Sequence, residues 1–309
     1  MITIFSVPKP FLGHTGIIQR NAIQSWALLR PGCEIILCGD DAGVEEIADE
    51  FKVKHILNIA RNEYGTPLLN SVFDNVQKTA SHGLLCYINT DIILLSDFVT
   101  AAQRIPFDRF LMVGQRTNIN LTNLWDFQSP DWEEQLRSYV VEHGVVASPR
   151  AIDYFVFPND DALAKLPPFA VGRPWWDNWF IYHARKLGIP VIDATKAVTV
   201  IHQDHDYGHV PRRRGSLWEG PEADRNRELM GGSQHIFTTQ DATHVMTSKM
   251  IRPVAGYDYL RRRWQTSLIR VAPMRSVVSI QDMLRGGLRS ALIKTRSLAR
   301  RVPLLSRVK

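Results

Sequence analysis

Short apolar runs alternate with amphipathic stretches of helical length over the first third of the chain. The apolar runs predict buried strands at residues 2–7, 34–38, 53–57 and 84–88. Apolar residues at helical spacing predict the helices between them, at residues 15–29, 44–51 and 68–80. Because strands and helices alternate, we predict an α/β fold with a doubly wound, mostly parallel sheet and helices on both faces.

The same pattern continues less regularly to about Thr247. It predicts strands at residues 110–114, 154–157 and 198–201 and helices near 131–142 and 179–187. The balance of charge then changes sharply. Residues 249–309 carry 15 Lys and Arg against Asp258 and Asp282, whereas the rest of the chain carries 22 basic and 29 acidic groups. We therefore predict a domain over residues 1–248 and a basic C-terminal tail over residues 249–309.

Polar residues follow three of the predicted strands at the point where each strand ends. Asp91 lies between the apolar runs LLCYI and IILL, and Asn89 precedes it by two positions. Ligands of such sheets gather at the carboxyl ends of the strands, so we expect Asp91 in a ligand crevice rather than in the core. A carboxylate among neutral neighbours is suited to a divalent cation, which would also compensate its burial.

Asp177 opens the helix predicted after the sequence GRPWWDNW. It could cap the helix N-terminus, because Asp is favoured there and stabilises a helix by ~1 kcal/mol. Alternatively, Trp175 and Trp176 could form an aromatic wall for a carbohydrate and desolvate the carboxylate, which would make Asp177 a stronger base.

Three histidines follow the strand predicted at 198–201, in the sequence VIHQDHDYGH. Their spacing matches no strong zinc signature. We expect His202 to be a metal ligand because it is nearest the sheet, and His205 and His209 to bind phosphate or to orient a loop.

These motifs carry a resemblance that covers residues 1–248. A strand ending in Asn-x-Asp, an aromatic-flanked Asp at a helix start and a strand ending in His together resemble the metal-dependent GT-A glycosyltransferases. The runs DYFVFP, LPPFAVGRPWWDNW, VIDAT, VIHQDHDYGH and GPEADRN are similar to a bacterial and plant-like group with this Rossmann-like fold.

The resemblance implies a role for individual residues. Asp91 and His202 match the ligands of Mn²⁺ or Mg²⁺ on a nucleotide-diphosphate sugar, and Asp177 matches the catalytic base of the inverting members. Asn89 stands where many relatives have an acid near the ribose or a metal-bound water. The positions that hold the nucleotide base and ribose correspond to Ser6, Pro8 and Asp40. The implied reaction is transfer of a sugar to a glycan or lipid-linked acceptor.

Several further residues are weaker candidates on their own patterns. Thr66 and Asn70 precede or open a predicted helix, where they would face the nucleotide or cap the helix. The remaining candidates are arginines that could pair with phosphate and polar residues of a lid over the donor: Arg20, Arg116, Glu222 and Asn226.

Composition limits the class of protein. Hydrophobic residues make up 45% and charged residues 22% of the chain, as in ordinary globular proteins. The chain shows neither a charged leader nor an apolar run long enough to span a membrane. Cys33, Cys38 and Cys86 fall in or beside apolar runs without CxxC spacing, which indicates reduced thiols and a cytoplasmic location.

From Leu284 the tail has apolar residues on one helical face and arginines on another. This pattern favours a peripheral helix on an anionic membrane surface, and a packed helix with a solvated charged face is the alternative. The acidic body and the few aromatic residues of the tail argue against a nucleic-acid partner.

Two other functions remain open at this point. A nucleotidyltransferase could use the same sheet and carboxylate, but the stretch from Phe5 to Gly13 contains a single glycine, which argues against a glycine-rich phosphate loop. A non-catalytic adaptor is favoured only by Asn89 in place of an acid. An Asp91→Asn variant distinguishes the adaptor, which would keep its binding, from an enzyme, which would lose turnover.

Overall fold

The computed structural model describes residues 1–160, 162–205 and 219–271. The chain divides into two compact units, Met1–Arg262 and Arg263–Lys309, and both sheets belong to the first. The tail helix predicted from Leu284 lies outside the described residues, as does His209.

The first unit is built on a large sheet and a small one. In chain order the described strands are β1 (Ile2–Ser6), β2 (Glu34–Cys38), β3 (Lys54–Ile56), β4 (Leu84–Ile88), β5 (Ile92–Leu94), β6 (Leu111–Val113), β7 (Thr117–Ile119), β8 (Val145–Val146), β9 (Tyr154–Pro158), β10 (Val191–Lys196), β11 (Val200–Gln203), β12 (His244–Thr247) and β13 (Ile251–Pro253). The large sheet has the order β13-β12-β10-β6-β9-β4-β1-β2-β3, and the small sheet has the order β5-β11-β7-β8.

Helices and short 3₁₀ turns connect these strands. The helices are α1 (Gly13–Leu28), α2 (Val44–Phe51), α3 (Leu69–Thr79), α4 (Asp97–Gln103), α5 (Trp132–His143), α6 (Trp176–Lys186), α7 (Pro221–Met230) and α8 (Tyr257–Val271), with 3₁₀ turns at Ser233–His235 and Thr239–Asp241. Helix α1 begins two residues before the predicted start at residue 15.

The predicted mostly parallel sheet is confirmed. Parallel pairings join β4, β1, β2 and β3 at one end of the sheet and β6, β10 and β12 at the other. Strand β9 separates the two groups and runs antiparallel to both neighbours, and β13 is antiparallel at the edge. The carboxyl ends of β1, β2 and β4 therefore lie side by side.

Alternate side chains of the central strands pack against helices on the two faces of the sheet. Ile2 and Ile4 belong to a fully buried core cluster that also contains Trp26 of α1 and Ile47 of α2. Phe5 points to the opposite face, where its ring lies 5.1 Å from that of Phe73 on α3. The period of two along β1 thus supplies both layers of the core.

The face that contains Phe5 is a layer of packed aromatic rings. Phe73 stacks on Phe157 at 5.7 Å and meets Phe180 of α6 edge-on at 5.8 Å. Such pairs contribute ~0.5–1.5 kcal/mol each beyond the area that they bury. This layer fixes α6, and with it the start of α6 at Trp176, against the sheet.

The small sheet was not predicted, and the strand expected at 198–201 belongs to it rather than to the large sheet. Strand β11 pairs antiparallel with β5 and parallel with β7. The register places His202 opposite Ile92, the residue directly after Asp91. The small sheet therefore brings the histidine segment to the end of β4.

The described helices include none that is both long and apolar enough to cross a membrane. Cys33, Cys38 and Cys86 are free thiols, as the sequence predicts.

Candidate active site

A cavity of about 350 Å³ opens at the carboxyl ends of β1, β2 and β4, and we call it the sheet-edge cavity. Pro8, Thr66, Asn89 and Asp91 line it, as expected from the sequence. Its other lining residues include the charged and polar side chains of Lys9, Thr15, Gln19, Asp41, Arg61 and Arg173. The polar residues that follow these strands thus meet in one crevice.

Asp91, His202 and His205 form a compact cluster at this cavity. One ligand atom from each lies within 4.8 Å of the others. His205 Nε2 donates a hydrogen bond of 3.0 Å to Asp91 Oδ2, and His202 Nε2 lies 3.8 Å from the same oxygen. His205, for which the sequence predicted phosphate binding or loop orientation, is therefore closer to Asp91 than His202 is.

The protonation of the cluster suits a cation. Burial alone would raise the pKa of Asp91, but His202, His205 and Lys9 together lower it below its ordinary value. Burial lowers the pKa of His202, and the charge of Asp91 opposes this decrease. Asp91 Oδ1 and His202 Nδ1 are buried without a hydrogen bond to any described residue. One carboxylate and two imidazoles fit a divalent metal such as Mn²⁺.

Buried amides hold the cluster in place. Gln203 Nε2 donates to the backbone oxygens of Asp91, at 3.1 Å, and of Ile18, at 2.8 Å. Its Oε1 accepts a bond of 2.9 Å from Asn21 on α1. Because Gln203 is fully buried, these bonds tie β11 to α1 and fix the backbone on both sides of the cluster. Sequence reasoning missed this residue, although it directly follows His202.

Two of the predicted nucleotide-binding residues do not line the sheet-edge cavity. Ser6 is fully buried, and its hydroxyl bonds to Ile88 O at 2.6 Å and to Thr90 at 2.5 Å. Its position inside β1 turns the side chain into the core, where it supports the cavity wall. Asp40 is exposed and pairs with Arg61. The residue of this turn whose carboxylate lines the cavity is Asp41, one position later.

A polar clasp connects the loop before α3, the loop before α6 and helix α7. Glu222 on α7 accepts bonds from Asn62, at 2.8 Å, and from Arg173, at 2.6 Å. Thr66 lies in the first loop and lines the cavity but does not cap α3, whose N-cap is Leu68. Glu222 does not line the sheet-edge cavity but bonds to Arg173, which does, and its part in a lid over the donor stays a prediction.

Three weaker candidates have structural contacts that differ from those expected. Asn226 is fully buried and bonds to both backbone groups of Ala170, so it fastens α7 to the loop before α6. Arg20 pairs with Glu50 in an exposed ion pair outside the sheet-edge cavity. Asn70 does not line the cavity either, because it lies in the first turn of α3.

A second cavity of about 380 Å³ adjoins the first, and we call it the Asp177 cavity. Asn89, Gly172 and Arg173 line both cavities. The remaining lining residues come from the segment before β9, from the start of α6 and from Arg116: Ser148, Arg150, Ala151, Ile152, Asp153, Pro174, Trp176 and Asp177. Asp177 and the Asp91 cluster therefore lie in cavities that share a wall.

The start of α6 presents Asp177 to this cavity. Trp175 is the N-cap residue and has a φ of 89°, in the left-handed region that bulky residues avoid. Asp177 is the second residue of the helix, so the N-cap interpretation is wrong. The unfavourable backbone of Trp175 turns the chain sharply from Pro174 into the helix and costs about 1–3 kcal/mol.

Burial dominates the ionisation of Asp177. It raises the pKa of Asp177 to about 7, and the nearby charge of Asp153 adds to the increase, whereas backbone N–H groups and Arg116 oppose it. Asp177 Oδ1 is buried and forms no hydrogen bond with the described part of the chain. At neutral pH this carboxylate is balanced between its two forms, as suits a general base.

The two tryptophans do not form the expected carbohydrate wall. Trp176 is only 6% exposed, and its ring packs against those of Tyr87, at 5.0 Å, and Phe155, at 5.2 Å. Trp175 does not line the Asp177 cavity, and its ring lies under the guanidinium of Arg227 at 5.4 Å. Aromatic packing on the core, rather than sugar stacking, explains Trp176.

The side chain and the backbone N–H of Asn89 both form hydrogen bonds with Asp153. Its Nδ2 donates to Asp153 Oδ1 at 2.7 Å, and its backbone N–H donates to Asp153 O at 2.9 Å. Asp153 Oδ2 accepts from Arg116 at 2.6 Å. Arg116 is therefore part of the Asp177 cavity and not of the predicted phosphate site in the sheet-edge cavity.

Comparison with known proteins finds similarity in three dimensions only. Among solved structures, the chain is similar to glucosyl-3-phosphoglycerate synthase from Mycobacterium tuberculosis with Mg²⁺ and UDP, at 12% identity and a TM-score of 0.45 over 75% of this chain and 80% of that one. It is similar to Staphylococcus aureus TarS with UDP-GlcNAc, at 12% identity and a TM-score of 0.45 over 74% and 70% of the two chains. It is also similar to GalNAc-T7 with UDP, GalNAc and Mn²⁺, at 17% identity and a TM-score of 0.48 over 75% and 48%.

No protein-family model and no curated protein matches the chain. The similarity to the solved structures concerns the path of the backbone. What this chain does therefore depends on the side chains of its two cavities.

The Asn89–Asp153 contact predicts the effect of restoring an acid at position 89. Asn89→Asp places two carboxylates at hydrogen-bond distance beside one arginine, so we expect unfolding free energy at neutral pH to fall by about 1–3 kcal/mol. Urea denaturation at neutral and acidic pH measures this change, and the loss should shrink at acidic pH, where the pair shares a proton. Asn120→Asp, at an exposed position, is the control. Equal losses in both variants would contradict the interpretation.

Proposed function

We propose that the chain is a glycosyltransferase that moves a sugar from a nucleotide-diphosphate sugar to an acceptor hydroxyl. The observation that carries this proposal is the joining of two different cavities across Asn89, Gly172 and Arg173. One cavity contains a carboxylate–imidazole cluster suited to a metal, and the other contains a partly buried carboxylate with a pKa of about 7. Group transfer between two substrates needs these two environments side by side.

The donor is proposed to bind in the sheet-edge cavity. Asp91, His202 and His205 would hold Mn²⁺ or Mg²⁺, which supplies positive charge to the departing diphosphate. Lys9, Arg61 and Arg173 line the same cavity as cationic hydrogen-bond donors, and Arg61 and Arg173 also pair with Asp41 and Glu222. Pro8, Thr66 and Asp41 supply the rest of a surface for the nucleoside.

The acceptor is proposed to bind in the Asp177 cavity. Asp177 accepts the proton of the acceptor hydroxyl while the oxygen of that hydroxyl forms a bond to the anomeric carbon of the donor sugar. The diphosphate leaves with the electrons of the broken C–O bond. Asp153, the other carboxylate of the cavity, is an unsuitable base because Asn89 and Arg116 occupy its two oxygens. A base across the sugar from the leaving group favours inversion.

The nature of the acceptor and the location of the enzyme are extensions of this proposal. A glycan or a lipid-linked acceptor would suit a cavity that opens beside the donor site. The basic C-terminal tail predicted from the sequence would hold the enzyme at an anionic membrane surface on the cytoplasmic side.

The donor site is tested first by binding. We expect nucleoside diphosphates or their sugar conjugates of one base to raise the melting temperature in the presence of Mn²⁺, because a ligand that binds only the folded state stabilises it, by ~2.7 kcal/mol at 100 times Kd. Asp91→Asn should abolish the metal-dependent increase. Asp74→Asn, on the exposed face of α3, should leave it unchanged. No stabilisation by any nucleotide would refute the donor site.

The base is tested through pH. Since burial raises the pKa of Asp177 to about 7, we expect transfer to rise as pH increases through about 7 and then to level off. Asp177→Asn should abolish transfer yet keep nucleotide binding, and release of the nucleoside diphosphate measures the rate. A pH profile that is flat between pH 5 and pH 9 would contradict the assignment.

The same residue makes an opposite prediction for stability. The folded state binds the Asp177 proton more tightly than the unfolded state does, so ionisation of Asp177 lowers unfolding free energy as pH rises from about 4 to about 7. We expect Asp177→Asn to be more stable than the wild type at pH 8 and similar to it near pH 4. Urea denaturation at the two pH values measures the difference, and an Asp177→Asn protein that is less stable at pH 8 would oppose the prediction.

A further inference from the structure

Three arginines from separate segments line the Asp177 cavity: Arg116, Arg150 and Arg173. Two of them have carboxylate partners. Arg116 pairs with Asp153 at 2.6 Å, and Arg173 pairs with Glu222 at 2.6 Å. In both pairs the side chains are at most 16% exposed, so these cations are already neutralised by the protein.

Arg150 differs from the other two. Its side chain forms no ion pair or hydrogen bond with the residues that the structure describes, and the residue is exposed at the mouth of the cavity. The lining thus carries three guanidinium groups against the carboxylates of Asp153 and Asp177. The charge of Arg150 therefore has no partner among the described residues, in a concave site of a size that binds small molecules.

The backbone holds Arg150 near the proposed base. Asn178, the residue after Asp177, donates from its side chain to Arg150 O at 3.5 Å and is itself 5% exposed. The neighbouring Pro149 O accepts a bond of 3.2 Å from the backbone N–H of Thr239. The first contact joins the segment before β9 to the start of α6, and the second joins it to the 3₁₀ turn at Thr239–Asp241. A group bound to Arg150 would therefore be positioned relative to Asp177.

We propose that the acceptor carries an anionic group, a carboxylate or a phosphate, which Arg150 binds while a hydroxyl of the same molecule meets Asp177. This inference rests on the proposed function and specifies the acceptor class. A planar guanidinium forms paired hydrogen bonds with either anion, which a neutral sugar cannot match. A sugar acid and a sugar phosphate share this chemistry, and the cavity of about 380 Å³ is large enough for a monosaccharide of either kind.

The test measures binding of glucuronate, glucose 6-phosphate and glucose to the full chain by calorimetry or ligand-observed NMR, without nucleotide. We expect one or both anionic sugars to bind at least tenfold more tightly than glucose. Arg150→Gln should remove this preference, and Arg150→Lys should retain part of it because the charge remains. Arg252→Gln is the matched control, since Arg252 is exposed on the edge strand β13 and does not line either cavity.

Each outcome is informative. Loss of the anion preference in Arg150→Gln alone supports the proposal, and preference for only one anion identifies its source. Binding of glucose as tight as that of the anions overturns it, as does no anion binding or an unchanged preference in Arg150→Gln. Nucleotide binding with Mn²⁺, measured on the same proteins, tests the donor site separately: it should be unaffected by Arg150→Gln. If no nucleotide binds to the wild type, the transferase proposal fails whatever the sugars show.

Discussion

Two partly buried carboxylates each have one buried oxygen that lacks a hydrogen-bond partner among the described residues, and the surrounding structure must offset that cost. Asp91 Oδ1 and Asp177 Oδ1 are both in this position. Leaving a buried polar atom unsatisfied costs about 1–3 kcal/mol, and more when the group is charged. The aromatic layer that fixes α6 and the amide bonds of Gln203 supply the stability that retains these two arrangements.

The structure treats the two carboxylates in opposite ways. Imidazoles next to Asp91 keep its pKa low, so that it remains an anion and can serve as a ligand. Asp177 lies beside the buried ring of Trp176, and burial brings its pKa to about 7. When the surroundings of two neighbouring acids separate their pKa values, the two acids can have different roles in catalysis. Here one is suited to be a fixed negative charge and the other a proton acceptor.

Sequence predicted the parts of this site that depend on local pattern. Strand periodicity and the common edge of parallel strands were sufficient to place Pro8, Asn89 and Asp91 together. Strands β5, β7 and β8 are only two or three residues long, too short to show a period, and their pairing is not local. The positions of His205 and Gln203 therefore could not be predicted. Trp176 was misinterpreted because an aromatic residue beside an acid indicates a sugar wall and core packing equally well.

The Asn-x-Asp motif is one acid short of the two-acid pattern that it resembles, and the fold places a carboxylate from another segment beside its amide. Asp153 from the segment before β9 lies 2.7 Å from the amide of Asn89. An acid at position 89 would face this carboxylate, so the amide is the residue type that lets both side chains share the wall between the cavities. A carboxylate absent from the motif is thus present in space, because β4 and β9 are neighbours in the large sheet. Asn89 is thus a structural partner of Asp153 in the wall between the two cavities.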